Sequence, residues 1–485
     1  QRYYLAPNIT TLKKSVFTKG MEFIDKLDFN TVYLNQVRLY KEIGRDEKVK
    51  GDYLLDILNK IKTKSLIYAA SYAQITKVAN LLNESLGQVD KPLLIAFSDW
   101  LTINYDTNWK LTNLIKRGVG IHNGQLHRSL SQIQIKLFEE DEGLDTIIST
   151  SSIIEGVNTS AENVIIWRNR MSGSNAILDA FTYKNIIGRS GRMFKYFIGN
   201  IYLLEAPPTD DNTQLDLPFP DEILGDLDED EYKDSLTEDQ IGKIITFKEE
   251  MYNIVGKDAY DSMVKENKLQ TSNTDFLLEV AREMKDNPKG WNGLAYLNSE
   301  NTESWTWILK KITYLTPGEW GYGPYGVQHD KFVEFVKHLS DNWNKSIPDM
   351  LYELNSEDID IEQFFKLERA AAYKLSALVK DINTLQKEII NNGVDVSSFV
   401  SKVSHAFLPS VVYQLEEYGL PRMISKKLHS NRIINFSNSE LTIHSVIQLF
   451  HRIGKDSILE LKCFDTFDKY IINYFYKGIT VDRKE

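Results

Sequence analysis

A single cysteine, Cys463, stands among 485 residues. That scarcity excludes an internal disulfide and a multi-cysteine zinc site, and it fits a reducing compartment. Long apolar runs are also missing: none approaches the ~18 residues of a membrane-spanning helix. No signal-peptide pattern follows Gln1. No segment repeats, and low complexity is confined to one acidic stretch. Basic charge is in deficit, with 57 Lys and Arg against 68 Asp and Glu. Taken over the whole chain, that balance argues against a nucleic-acid binder.

What is present is a globular composition. A hydrophobic fraction of 42% beside 26% charged residues can bury a sizeable core and excludes wholesale disorder. The length suits two to four domains. Charge is unevenly spread. Residues 1–206 hold 26 basic and 21 acidic residues, a net of +5, and the remainder holds 31 and 47, a net of −16. The change falls at Ala206-Pro207-Pro208. From Thr209 to Gln240 there are 13 acidic residues and one lysine. Such a stretch cannot bury enough apolar surface to fold and is expected to be a linker over 207–240.

Short apolar runs read as strands at Ser65–Ala70, Pro92–Phe97, Gly118–His122, Asp145–Thr150, Asn163–Trp167 and Gly199–Leu204. Helical periodicity covers Tyr40–Ile61, Tyr72–Leu86 and Leu126–Glu139. This alternation predicts a parallel sheet with helices on both faces. Residues 1–60 are expected to lead in from a preceding domain, and 61–206 to form the α/β unit. An accessory, mostly helical domain is expected over 241–330 and a helical bundle over 331–485. Five of the eight tryptophans fall between Trp291 and Trp343; core packing and base stacking are the two readings. Arg422, Lys426, Lys427 and His429 lie close together in sequence, as a solvated face or a basic helix facing nucleic acid.

Four segments carry chemistry. In Tyr183-Lys-Asn-Ile-Ile-Gly-Arg-Ser-Gly-Arg192 a helix-periodic run ends in Arg189 and Arg192, each preceded by glycine. Paired guanidinium groups suit the oxygens of a transferring phosphoryl group; a surface arginine pair at a helix end is the plain alternative. Thr150 and Ser151 stand where a strand ends, the place where ligands of parallel sheets gather. Gly156-Val157-Asn158 then lets the backbone approach a ligand closely. His122-Asn123-Gly124 follows another strand, and Ser71 opens a helix after a third, able to hold phosphate. Each loop alone could equally be structural.

Together these segments resemble the second RecA-like domain of superfamily 2 helicases, in the DExH branch that includes the superkiller and repair helicases. The resemblance covers residues 64–205 and rests on four motifs in order. They are the strand-Ser71 loop, Gly118-Val119-x-x-His122-Asn123-Gly124-x-Leu126, Thr150…Gly156-Val157-Asn158, and Asn185-x-x-Gly188-Arg189-x-Gly191-Arg192. Asn123 stands where a second histidine is common, and Asn185 where glutamine is usual. The resemblance implies a RecA-like fold in which Arg189 and Arg192 contact ATP phosphates, with Gly156, Asn158 and Asn185 lining the nucleotide cleft. It implies that Ser71, His122, Asn123, Thr150 and Ser151 hold the nucleic-acid strand.

No Gly-x-x-x-x-Gly-Lys-Ser/Thr occurs, so the cradle for the β- and γ-phosphates and Mg²⁺ is missing. Asp228-Glu-Asp-Glu231 lies in the acidic stretch rather than after an apolar strand, and is not a DExH box. The expectation is therefore the C-terminal part of an ATP-dependent DNA or RNA helicase or translocase, cut from a longer protein. ATP with Mg²⁺ would be bound mainly by a preceding RecA-like domain. The expected partners are a DNA or RNA single strand, that preceding domain and a protein docked on the acidic C-terminal region, with no membrane. The expected location is cytoplasmic, or nuclear in a eukaryote. The alternative is a catalytically inactive RecA-like binding or regulatory module.

Overall fold

The computed structural model describes residues 11–12, 33–61, 63–153, 161–171, 176–191, 198–208, 214–215, 236–266, 268–271, 273–318, 320, 325–354, 358–390 and 393–479. Six strands build one sheet: β1 (Tyr33–Val37), β2 (Ser65–Tyr68), β3 (Val119–His122), β4 (Thr146–Ser149), β5 (Asn163–Ile166) and β6 (Ile198–Leu203). All pairings are parallel, in the order β1-β6-β5-β2-β4-β3. In β2, β4 and β5 every residue is buried. That is why their sequences are apolar runs rather than alternations. Leu66 sits opposite Ile147 and Val164 in register.

Successive side chains feed two cores. Ile67, Ile148 and Ile165 pack with α1 (Glu47–Lys60) and α2 (Tyr72–Ser85). Leu66, Tyr68, Ile147, Val164 and Ile166 face the other way. They meet α3 (Pro92–Asn104), α5 (Arg128–Glu139) and α6 (Ala180–Ile187), with α4 (Lys110–Ile115) between α3 and β3. The edge strand β1 comes from the segment read as a lead-in, so the sheet begins before residue 61.

The strand expected at Pro92–Phe97 is instead the start of α3. Pro92 occupies the first helical turn, where its missing N–H is no loss. Leu94, Phe97, Trp100 and Leu101 are all fully buried, at helical spacing.

Thr11–Leu12 pairs in parallel with Gln214–Leu215, and from residue 236 on the described chain is helical. Its elements include α7 (Glu238–Val255), α8 (Thr274–Asp286), α9 (Thr306–Tyr314) and α10 (Tyr325–Asp341). Then come α11 (Ile361–Arg369), which continues through a π-helical segment, Ala370–Leu375, into α12 (Ser376–Ile389). α13 (Ser397–Ser404), α14 (Ser410–Glu417), α15 (Arg422–Ser430), α16 (Ile443–Ile453) and α17 (Thr466–Ile479) complete it. The acidic stretch of residues 216–235 and the turn-rich residues 321–324 lie outside the described residues. Trp291, Trp305 and Trp320 are buried in the core, whereas Trp307 is 53% exposed. Among the described residues no helix is long and apolar enough to cross a membrane.

Two buried contacts fasten the helical region to the sheet. Trp100 Nε1 donates to Asp468 Oδ1 at 2.8 Å, and Phe97 stacks on Phe467 with centroids 4.6 Å apart. The second contact lies where α5 begins. His127 Nε2 is 2.6 Å from Glu368 Oε2, and Arg422 binds both Glu368 and Glu416, with its Nη2 2.6 Å from Glu416 Oε2. Burial raises the Glu368 carboxyl, but Arg422 and His127 outweigh it and hold the group at about 2. Glu416 is depressed against burial by the same neighbours.

Both sequence readings of the Arg422 segment are thus corrected. Arg422 and Lys426 are buried, and Lys427 bonds to the buried Asp468. Burial, aided by Arg422, pushes the Lys426 ammonium down to about 7.

Removing one member of such a set strands a buried charge. Arg422→Met should cost about 3–5 kcal/mol, read as a lowered midpoint of urea unfolding. The carboxyls also make stability depend on pH. Their folded values lie below the unfolded value of about 4.3, so their contribution is complete above it and is lost as pH falls toward 2. The thermal midpoint should therefore decline from pH 5 to pH 2, and Glu368→Gln should make that decline shallower.

Candidate nucleic-acid interface

Three loops leave the carboxyl edge of the sheet side by side. After β2 the chain turns sharply, with Ala70 at φ 68°, a strained value for a residue with a Cβ. The turn sets Ser71 as N-cap of α2, its Oγ accepting from Gln74 N at 3.4 Å. After β4 a short 3₁₀ turn, Ser151–Ile153, brings Ser152 back toward β3. There Ser152 Oγ lies 3.2 Å from His122 Nδ1 and 3.1 Å from Thr150 Oγ1. A chain of three polar groups therefore joins the β3 and β4 loops. Burial lowers His122 to about 4, so the imidazole is neutral near pH 7 and acts through hydrogen bonds.

Ser152 was not singled out from the sequence. In the run Thr150-Ser151-Ser152 nothing tells which hydroxyl turns inward until the 3₁₀ turn is known. Asn123 serves its own loop: its Oδ1 accepts from Gln125 N at 2.9 Å and Leu126 N at 3.2 Å. This side-chain turn accounts physically for an asparagine there.

The β3 loop and Ser152 face a groove of ≈ 930 Å³. One wall is the β3 loop and α5; the other is α11 with its π segment, and α14. Arg369, at the end of α11, donates to Gly124 O across the groove and lies 5.3 Å from the Tyr373 ring. Tyr373 is 56% exposed, and its hydroxyl is 3.0 Å from that of Tyr413. π segments recur at functional sites. This wall could not be read from the sequence, because Arg369 and Gly124 lie 245 positions apart. The buried His127–Glu368–Arg422–Glu416 set lines the same groove and fixes the spacing of its walls.

The arginine motif lies elsewhere. Helix α6 starts at Asp179, whose carboxylate acts on Tyr68 at the carboxyl end of β2. It runs back across the sheet, so the residues after it reach the opposite edge. Just before β5, Ala161 N donates to Arg189 O at 3.0 Å and Ala161 O accepts from Gly191 N at 2.8 Å. Ser190 Oγ donates to Glu162 O at 3.0 Å. The structure thus brings Ser71, His122, Asn123, Thr150 and Ser151 to one edge and places Arg189 at the other.

Arg189 and Asn185 are half-buried, and burial lowers the Arg189 guanidinium from its ordinary value. Gly191 takes φ 80°, which releases the chain from the helix; Gly188 stays helical at φ −66°. Gly156, Asn158 and Arg192 lie outside the described residues.

No family model matches the chain. Over 195 residues it is 37% identical to Anti-bacteriophage protein B of Escherichia coli (strain K12), across 40% of this chain and 26% of that protein. A stretch of 110 residues is 31% identical to Hachiman protein HamB of Bacillus cereus, across 21% of this chain and 10% of that protein. Among solved structures, the C-terminal domain of the DEAD-box protein Dbp5 aligns with 38% of this chain and 81% of its own at 19% identity, with a TM-score of 0.24. The alignments thus span 26% and 10% of the length of these two curated relatives.

Proposed function

We propose that this chain is the strand-gripping, arginine-finger part of an ATP-dependent DNA or RNA helicase or translocase. The observation that carries this reading is the division of labour between the two sheet edges. At one edge His122 and Ser152 line an open groove, with Ser71 and the buried Thr150 at the neighbouring strand ends, and a half-buried arginine stands at the other edge. Hydroxyls and backbone N–H groups at strand ends hold phosphates without sequence preference. Ser71 and Thr150 would grip the strand, while Ser152 and His122 hold Thr150 in place.

ATP, with Mg²⁺, fits this chain as half of a site. Arg189 and Arg192 would supply charge for the phosphates, and Gly156, Asn158 and Asn185 would line the cleft. The chain lacks the phosphate loop, which would come from a preceding RecA-like domain. ATP hydrolysis there would supply the driving reaction. Arg189 would neutralise negative charge as it develops on the transferred phosphoryl group. The name of the Escherichia coli relative, Anti-bacteriophage protein B, supports placing such a motor in defence against bacteriophage. A binding module without turnover is the second reading, favoured by the commitment of Asn123 to its own loop.

Two measurements test the proposal. Thr150→Val should weaken binding of a labelled single strand by about 3–10-fold, for a lost hydrogen bond worth about 1 kcal/mol, measured by fluorescence anisotropy. Unchanged affinity would remove Thr150 from the grip. In the complete protein, Arg189→Ala should lower strand-stimulated ATP turnover by about 10³-fold and leave strand affinity intact. Undiminished turnover would sink the motor assignment, and an absence of turnover in the unsubstituted protein would favour the binding module.

A further inference from the structure

The carboxyl edge continues beyond the groove, on the far side of β2. The chain reverses its direction across the sheet between β2 and β5: β2 leads to β3 on one side, and β5 to β6 on the other. Ligands of parallel sheets collect beside such a reversal. A second pocket, of ≈ 450 Å³, opens there at the ends of β5 and β6 and the turn after β1. Its volume lies in the range of about 300–1,000 Å³ typical of small-ligand sites.

The pocket's acids all have partners. Glu205 accepts from Lys50 Nζ at 2.7 Å and from Asn169 N at 2.8 Å. Asp46 caps α1 through Lys48 N at 2.8 Å and Val49 N at 3.2 Å. Glu47 pairs with Lys77 at 2.6 Å. Lys50 is also held 4.6 Å from the Trp167 ring, so the floor is fixed. Two arginines remain: Arg45 and Arg170 line the pocket, and among the described residues neither guanidinium has a carboxylate partner. Apolar surface is available beside them, from half-buried Tyr40 and from Ile177, which is 56% exposed.

Guanidinium groups bind phosphate through paired, permanently charged hydrogen bonds, and an aromatic ring accepts a base face. We propose that this pocket binds a phosphate-bearing nucleotide unit, its phosphate on Arg45 and Arg170 and its base or sugar against Tyr40 and Ile177. Where that unit belongs to a strand, the proposal rests on the nucleic-acid reading above and extends the strand's path across the reversal point. A free nucleotide offers the same chemistry.

The test uses the full 485-residue chain and the double variant Arg45→Ala/Arg170→Ala. Fluorescein-labelled oligo(dT) and oligo(U) of 20 nucleotides are titrated by anisotropy at several salt concentrations, with Thr150→Val alongside. The double variant should bind about tenfold or more weakly, with the slope of log K against log salt reduced by about 1–2. If Thr150→Val weakens binding and the double variant does not, the pocket is overturned while the groove stands. If the unsubstituted chain binds neither oligonucleotide, the nucleic-acid reading fails and calorimetry with AMP decides. Heat that the double variant abolishes assigns the pocket to a free nucleotide, and absence of heat overturns it. Should melting show the alanine pair unfolded, Arg45→Lys/Arg170→Lys carries the test. It keeps the charge and loses the fork, so unchanged affinity overturns the proposal.

Discussion

Arg422 sits where the sheet unit and the helical region must agree on a distance. It holds Glu368 on α11 and Glu416 on α14, while Glu368 also meets His127 at the start of α5. Charges removed from water this completely are tolerated only when each has a partner of opposite sign in good geometry. The set therefore permits one arrangement of four helices and penalises others. The groove exists because that arrangement leaves α11 standing off from the β3 loop, with Arg369 bridging the gap.

The two sheet edges have different construction. At the carboxyl edge, polar groups are linked in short chains, His122 to Ser152 to Thr150, and a strained Ala70 turns the chain into Ser71. At the amino edge the backbone does the work: Arg189 and Gly191 bond to Ala161, and Ser190 Oγ donates to Glu162. β5 begins two residues after Ala161 and ends beside the β2 turn. A fully buried strand thus spans from the Arg189 contact to the β2 turn.

The fold was legible where burial leaves a plain mark. β2, β4 and β5 are short apolar runs because both faces are covered, and α5 shows one apolar stripe. Pro92–Phe97 misled because a buried helix and a buried strand look alike over six residues; only Trp100 and Leu101 extend the helical spacing. Arg422 misled because a basic cluster ordinarily faces water, and its partners come from helices that the local sequence does not name. In the candidate site, Ser71, His122 and Thr150 were visible as residues after strands. Ser152 and the wall carrying Arg369 and Tyr373 were not, since a 3₁₀ turn and a contact 245 positions away place them. The separation of Arg189 from the other loops was hidden too. It depends on the length and direction of α6.

The π segment Ala370–Leu375 sits inside an otherwise α-helical run from Ile361 to Ile389. A π turn uses about one residue more than an α turn. Upstream, Phe364 and Phe365 keep their own buried face; downstream, Leu375, Val379, Ile382 and Leu385 keep theirs. Losing one alanine from Ala370–Ala372 would return the segment to α geometry with both faces still in register. The extra residue is thus separable from the core that flanks it. The helix has room to change the shape of its groove wall by insertion or deletion, a route of variation that point substitution does not offer.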